Sequence, residues 1–187
     1  MTDNWGTLKE DPIGVMEIIK SRIRKKKHRP HTTIESELNH LIPLHIGTSE
    51  NKNLEVELSH FRQELKDFLN SEAGKAGLWK YINLCDDYAM RGTTDGFEPA
   101  CSYRSVLQLL NDEFVPWVDI DIPTLVEDME GIDETLLDVA EDAPPIREHE
   151  IPDWIPESHW WWRAPKKQDM SEKERYWRHH YEETEPP

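Results

Sequence analysis

Apolar residues recur at helical spacing along the first 114 positions of the chain. The clearest stripe advances by steps of four, three, four, three and one, through Leu54, Leu58, Phe61, Leu65, Phe68 and Leu69. Residues at these steps share one face of an α-helix, so the stripe predicts a helix from about 49 to 70 that packs on the protein's own core. The stripe lasts barely two heptads, which is too short to require a coiled coil.

Two shorter helices are indicated before this stripe. Asp11 suits an N-cap and Pro12 suits the first helical position, so a helix begins there and continues into a run of cations. A second pattern runs from 33 to 42 and is predicted to end at Pro43, because the residue before a proline disfavours helical backbone.

Two further helices complete the predicted body. Ser71 can cap a helix from 72 to about 90, although Gly74 and Gly77 weaken its first turns. After a loop rich in glycine and proline, Ser102 is predicted to open a helix that reaches about 114.

The last third of the chain has a different character. Residues 115–123, VPWVDIDIP, alternate apolar and acidic positions between prolines, which predicts an extended segment or an edge strand. Thr124 can cap an amphipathic helix with a carboxylate-rich outer face. Beyond 146 the chain is rich in proline and tryptophan, until Ser171 and Glu174 match a capping box that predicts a short terminal helix.

The predicted fold is therefore mainly α, a small helical body of about five helices with an acidic, Pro/Trp-rich, partly irregular C-terminal third. The predicted divisions are an N-terminal tail (1–11), a helical body with a basic run at 20–29 (12–114), an acidic extended segment with an amphipathic helix (115–145), and a Pro/Trp-rich tail with a short helix (146–187).

Composition and charge limit the size of the core and the classes of partner that the protein can bind. Apolar residues are 36% and charged residues 32% of the chain, against roughly 45–50% and 25% in typical domains, so the core is small and part of the chain is expected to fold weakly or on a partner. The net charge is -16, and residues 112–157 contain sixteen acidic side chains and one basic side chain, Arg147. This balance disfavours general binding to nucleic acid or anionic membrane.

Targeting signals and cysteines indicate an intracellular protein. There is no secretory signal and no apolar run of membrane-spanning length, so we expect a cytoplasmic location, or a nuclear one in a eukaryotic cell. Cys85 and Cys101 are too few for a disulfide framework. Free buried thiols are favoured over a single 85–101 bridge, which stays open as an alternative.

Motifs for metal binding or catalysis are not recognisable. The histidine spacings at 28–31 and 40–45 do not match zinc patterns, and Asp86 and Asp87 beside Cys85 oppose activation of its thiol. We therefore predict no metal, no cofactor and no catalytic residue, with an enzyme of unrecognised site as a third and weakest hypothesis.

The basic run at 20–29 has three interpretations. It consists of Lys20, Arg22, Arg24, Lys25, Lys26, Lys27 and Arg29. The cations can form a solvated helix end that suits the C-terminal dipole, or a nuclear-import or phosphate-binding segment. Alternatively, they pair with the acidic 112–157 stretch, within one molecule or between molecules.

The acidic segment and the tryptophans supply the predicted recognition surface. Acidic residues between apolar anchors suit a segment that docks on a basic-rimmed groove, although a helix packed on its own core is the alternative. Five of the eight tryptophans lie between 153 and 178. They either clamp the tail onto the body or anchor a partner. The predicted partner-binding residues are Trp117, Asp119, Asp121, Trp154, Trp160, Trp161 and Trp162.

These observations favour a non-enzymatic regulatory or adaptor protein that binds a basic protein partner through its C-terminal third. The alternative is a nucleic-acid-associated regulator. In it, the basic run contacts phosphate or directs nuclear import, and the acidic segment recruits machinery or mimics DNA. The sequence indicates no oligomeric state.

Overall fold

Seven α-helices account for most of the described chain. The computed structural model describes residues 8–29, 33–49, 52–93 and 97–167, and within these ranges no residue forms a β-strand. The predicted mainly α fold is confirmed, with more helices than expected. They are α1 (Pro12–Lys26), α2 (Glu35–Asn39), α3 (Leu41–Ser49), α4 (Glu55–Leu69), α5 (Glu72–Met90), α6 (Glu98–Leu109) and α7 (Leu125–Ala140).

The start of α1 follows the sequence signals. Asp11 accepts a hydrogen bond from the Gly14 backbone N–H at 2.9 Å through Oδ1, and Pro12 is the first helical residue. The side chain thus satisfies one of the N–H groups that a helix start leaves unpaired. Val15, Met16, Ile19 and Ile23 form the buried face.

The second predicted helix is two helices instead of one. The first, α2, ends at Asn39, His40 forms a turn, and α3 then continues to Ser49, so the predicted end at Pro43 is wrong. Pro43 is the third residue of α3, where backbone N–H groups have no partner within the helix. Its missing N–H therefore costs nothing there.

The apolar stripe of α4 is core, as predicted. Leu58, Phe61, Leu65, Phe68 and Leu69 are all buried. The helix begins at Glu55, later than the predicted start near 49, because the preceding residues form a separate 3-10 turn, Lys52–Leu54.

Two glycines in α5 allow close packing. A Cβ atom on Gly74 would lie 1.9 Å from the Phe68 carbonyl oxygen, and one on Gly77 would lie 2.6 Å from Ile34 Cγ2. Both positions therefore require a residue without a side chain. Glycine lowers the stability of a helix, but here the close contact of α5 with the end of α4 and with the start of α2 offsets this cost.

The sixth helix begins earlier than predicted. It starts at Glu98 instead of Ser102, and Pro99 lies in its first turn. A proline is tolerated there for the same reason as Pro43. The helix ends in a π-type turn, Leu110–Phe114.

The C-terminal third shares the core of the body. Residues 115–123 form no strand, but extended backbone with one 3-10 turn, Trp117–Asp119. Ile120, Met129, Ile151 and Trp162 belong to the same buried cluster as residues of α1 to α6. The terminal helix predicted from Ser171 lies outside the described residues.

Candidate functional site

Two of the predicted partner-binding tryptophans lie in the protein's own core. Trp161 and Trp162 expose only 2% and 1% of their surface. Each indole Nε1–H donates to the hydroxyl of Ser105 on α6, at 2.9 and 2.8 Å. The chain is thus clamped onto the body, which is one of the two arrangements considered from sequence. Their part in partner binding stays a prediction.

The Ser105 hydroxyl has a third partner. Its Oγ lies 3.0 Å from Nδ1 of His159. A hydroxyl has one hydrogen and two lone pairs, so an oxygen that accepts from two indoles donates to His159, whose Nδ1 must be unprotonated. Burial, reinforced by the positive charge of Arg104, lowers the pKa of His159 to about 4. The ring is therefore neutral at physiological pH. Ser105, His159, Trp161 and Trp162 are called the indole cluster below.

The indole cluster is packed as a structural element. Ser105 and His159 resemble a nucleophile beside its base, but the hydroxyl is fully buried. Its lone pairs are taken by indole N–H groups, so no substrate atom can approach it in this conformation. The pair joins the chain at 159–162 to α6.

Arg104 joins the indole cluster to α7 and was missed by the sequence analysis. Its guanidinium makes two hydrogen bonds to the carboxylate of Asp133, at 2.6 and 2.9 Å. It also lies over the rings of Trp161 and Trp117, at 4.5 and 5.4 Å from their centroids. Such a buried, bidentate and stacked arginine needs all of these partners. The available signal was a lone cation within an apolar helix.

The other predicted aromatic residues are partly buried. Trp117 is held over Arg104, and its Nε1–H donates to the carbonyl of Leu107 at 3.3 Å. Trp154 and Trp160 pack against the same core as Trp161. Their remaining exposed surface is limited, because they lie at the edge of the clamped segment.

Asp119 and Asp121 lie on the surface and have cationic neighbours. Asp119 forms an ion pair with Lys66 at 3.1 Å, and Asp121 forms one with Lys75. The side chain of Asn70 holds the backbone between them: it donates to the Asp119 carbonyl at 2.9 Å and accepts from the Asp121 N–H at 2.6 Å.

A solvent-open groove follows this segment. It has a volume of about 440 Å³ and is lined by residues 117–123 together with Leu125 and Val126. Val118 in its wall is 87% exposed and Val126 is 42% exposed. The groove therefore combines apolar side chains with the carboxylates of Asp119 and Asp121.

The outer side of α7 is acidic. Glu127, Glu130, Glu134 and Asp138 are exposed, and none of them forms an ion pair with another part of the described chain. They are called the acidic face below. Val126 and Leu137 are exposed among them, the latter by 52%.

A second concentration of carboxylates lies where α5 meets α7. Burial, followed by the charges of Asp87 and Asp128, raises the pKa of Asp86. Oδ2 of Asp128 is buried and has no hydrogen-bond partner in the described parts of the chain. Negative charge thus accumulates on both sides of α7.

Three of the seven cations of the basic run are paired with glutamates of the described chain. Arg24 makes hydrogen bonds of 2.6 and 2.9 Å to Glu64 on α4, and Lys26 pairs with the buried Glu37 at 2.6 Å. Lys20 pairs with Glu17 on its own helix. These contacts differ from the predicted pairing within the molecule with 112–157.

The cysteines are free and buried, as favoured from sequence. Burial raises the pKa of Cys85 to about 12 and also raises the pKa of Cys101. Protonated thiols of this kind are poor nucleophiles and poor metal ligands. Among the residues with described positions, no three His, Cys, Asp or Glu side chains are grouped as a metal site would require.

No helix within the described ranges has the length and apolar content that crossing a bilayer requires. Comparison of the chain with protein-family models, with curated proteins and with solved structures finds no match.

Proposed function

We propose that this protein is a regulatory or adaptor protein that binds a basic protein partner through the acidic face of α7. The observation that supports the proposal is the combination of four exposed carboxylates that form no ion pair with a described residue and two exposed aliphatic side chains, Val126 and Leu137, on one helix surface. An interface of this kind steers a cationic partner electrostatically and retains it by apolar contact.

The acidic face lowers the stability of its own helix. Glu127, Glu130, Glu134 and Asp138 follow one another at steps of three, four and four. Like charges at these spacings destabilise a helix by about 0.2–0.5 kcal/mol per pair. Some acids elsewhere, such as Glu55, Glu64 and Glu141, have cationic partners. A cationic partner would relieve the repulsion on α7, which makes this face the best candidate for recognition.

The indole cluster has a supporting role in this proposal. Trp161 and Trp162 fix the chain against α6, while Arg104 connects α6 to α7 through Asp133. A helix held in this way loses little conformational freedom when a partner binds. In this proposal Trp161 and Trp162 rigidify the binding face, while their predicted part in partner binding stays untested.

The nucleic-acid alternative has weaker support. Phosphate contact through the basic run requires free cations on one surface. Arg24 and Lys26 are engaged with Glu64 and Glu37, which leaves Lys25 and Lys27 as the exposed lysines of the run without an ion pair to a described residue.

Paired variants test the proposed function. The α7 variant (Glu127→Gln, Glu130→Gln, Glu134→Gln, Asp138→Asn) removes the acidic face. A control variant (Glu10→Gln, Glu57→Gln, Asp153→Asn, Glu157→Gln) removes as many exposed charges from other surfaces. Proteins captured from the native cell by the wild type and the control should be basic and should be lost from the α7 variant. Equal capture by all three proteins would contradict the proposal.

A further inference from the structure

Hydrogen bonds hold the backbone of the groove beside the acidic face. Asn70 binds the backbone on both sides of Ile120, and Ile120 itself is buried. At one end, Trp117 is fixed by stacking on Arg104 and by its hydrogen bond to Leu107. A preformed concave surface loses little entropy on binding.

The groove presents two exposed aliphatic side chains, Val118 from the irregular segment and Val126 from the first turn of α7. Val118 lies in the 3-10 turn Trp117–Asp119, where nothing in the backbone geometry requires a valine. A cavity of about 150 Å³ is enough to hold a benzene ring. The groove, at about 440 Å³, has room for more than one apolar side chain of a partner.

The carboxylates around the groove favour a partner with positively charged side chains. Glu127 follows Val126 directly and has no ion pair with a described residue. Asp119 and Asp121 have Lys66 and Lys75 as partners, but these pairs are exposed to solvent. Exposed ion pairs contribute little to stability, so an incoming lysine or arginine can replace either lysine at small cost.

We infer that this groove is the anchor site for a cationic amphipathic segment of a protein partner. Apolar side chains of the segment pack between Val118 and Val126, and its lysines or arginines face Asp119 and Asp121 in the groove and Glu127 beside it. The inference deepens the proposed function and rests on it, because the same partner would approach the acidic face of α7. The groove supplies preference for apolar side chains, whereas the four carboxylates of the acidic face supply electrostatic attraction that does not depend on them.

Two synthetic peptides of equal charge test this assignment. One is an amphipathic helix of leucine and lysine, and the other has serine in place of every leucine. The groove variant is Val118→Ser with Val126→Ser. Its matched control is Ile13→Ser with Val56→Ser, which removes two exposed aliphatic side chains from α1 and α4. All four positions are exposed, so each protein should keep its circular dichroism spectrum and melting temperature.

Wild type and matched control should bind the leucine peptide at least about tenfold more tightly than the serine peptide. The groove variant should lose this preference while its affinity for the serine peptide is unchanged. Amide resonances of 117–126 should shift in nuclear magnetic resonance spectra when the leucine peptide is added. A preference that survives in the groove variant would overturn the inference.

The groove and the acidic face can fail separately in this experiment. Suppose that both peptides bind equally well to the wild type, the groove variant and the matched control, but bind the α7 variant more weakly. The groove assignment is then wrong and the proposed function stands. If the serine peptide binds the wild type no better than the α7 variant, the proposed function is contradicted, whatever the groove variants show.

Discussion

At the scale of single residues, one hydroxyl organises the C-terminal segment. Ser105 accepts hydrogen bonds from two indoles and donates to His159, so its bonding capacity is filled. The role of this serine could not be predicted from sequence, because a serine within a helix has no distinguishing pattern. The tryptophans were visible as a cluster, but three consecutive aromatic residues do not indicate which of them face inward.

Ser105→Ala should destabilise the fold. It leaves two indole N–H groups buried without an acceptor, at a cost of about 1–3 kcal/mol for each unpaired donor. The free energy of unfolding, measured by denaturant titration, should fall by at least the cost of one unpaired donor. Ser158→Ala, at an exposed position of the same segment, should change little. Equal stability of the two variants would show that the indole cluster is not formed in solution.

His159 should make stability depend on pH. Its pKa is about 4 in the folded protein against an ordinary value of 6.5. The unfolded chain therefore binds more protons between these values, and stability increases with pH across this window. The full contribution is present above pH 6.5 and is lost as the pH falls towards 4.

His159→Asn separates this effect from other titrations. The amide oxygen of asparagine can accept the Ser105 hydrogen bond, as Nδ1 does, but it does not titrate. Melting temperatures measured from pH 7 to 4 should fall less steeply for the variant than for the wild type. Parallel curves would contradict the assignment of a neutral, buried His159.

At the scale of elements, periodicity predicted helices well and their ends poorly. The stripe of α4 and the caps Asp11 and Ser71 were recognised correctly, because both depend on local spacing. Pro43 and Pro99 were taken as signs of helix ends or loops, yet both lie in first turns. A proline suits either place, and the choice depends on tertiary packing that local sequence does not contain.

The effect of replacing a glycine likewise depends on its tertiary surroundings as well as on helix propensity. Gly77→Ala should destabilise the protein, because the added methyl group would lie 2.6 Å from Ile34 Cγ2 in the buried core. Overpacking of this kind costs about 1–3 kcal/mol. Gly131→Ala, on the open side of α7 with nothing within 4 Å, should instead stabilise by about 0.5–1 kcal/mol. Thermal unfolding of both variants should therefore give shifts of opposite sign, and shifts of the same sign would contradict the packing of α5.

At the scale of the whole molecule, charge is divided between two regions. The cations of α1 are balanced by glutamates such as Glu37 and Glu64, whereas residues 112–157 have sixteen acids and one arginine. The net field of the protein therefore originates mainly from the C-terminal third. Such a field increases the rate at which a cationic partner is encountered, and salt screens it over about 8 Å at physiological ionic strength.

We propose that the acidic face of α7 binds a basic partner segment. The most direct test of this proposal is the affinity of the leucine and lysine peptide over a series of salt concentrations, for the wild type, the α7 variant and the four-charge control. We predict that affinity falls steeply with salt for the wild type and the control, and that the α7 variant binds more weakly at low salt with a flatter dependence. Superimposable salt curves for all three proteins would contradict the proposal.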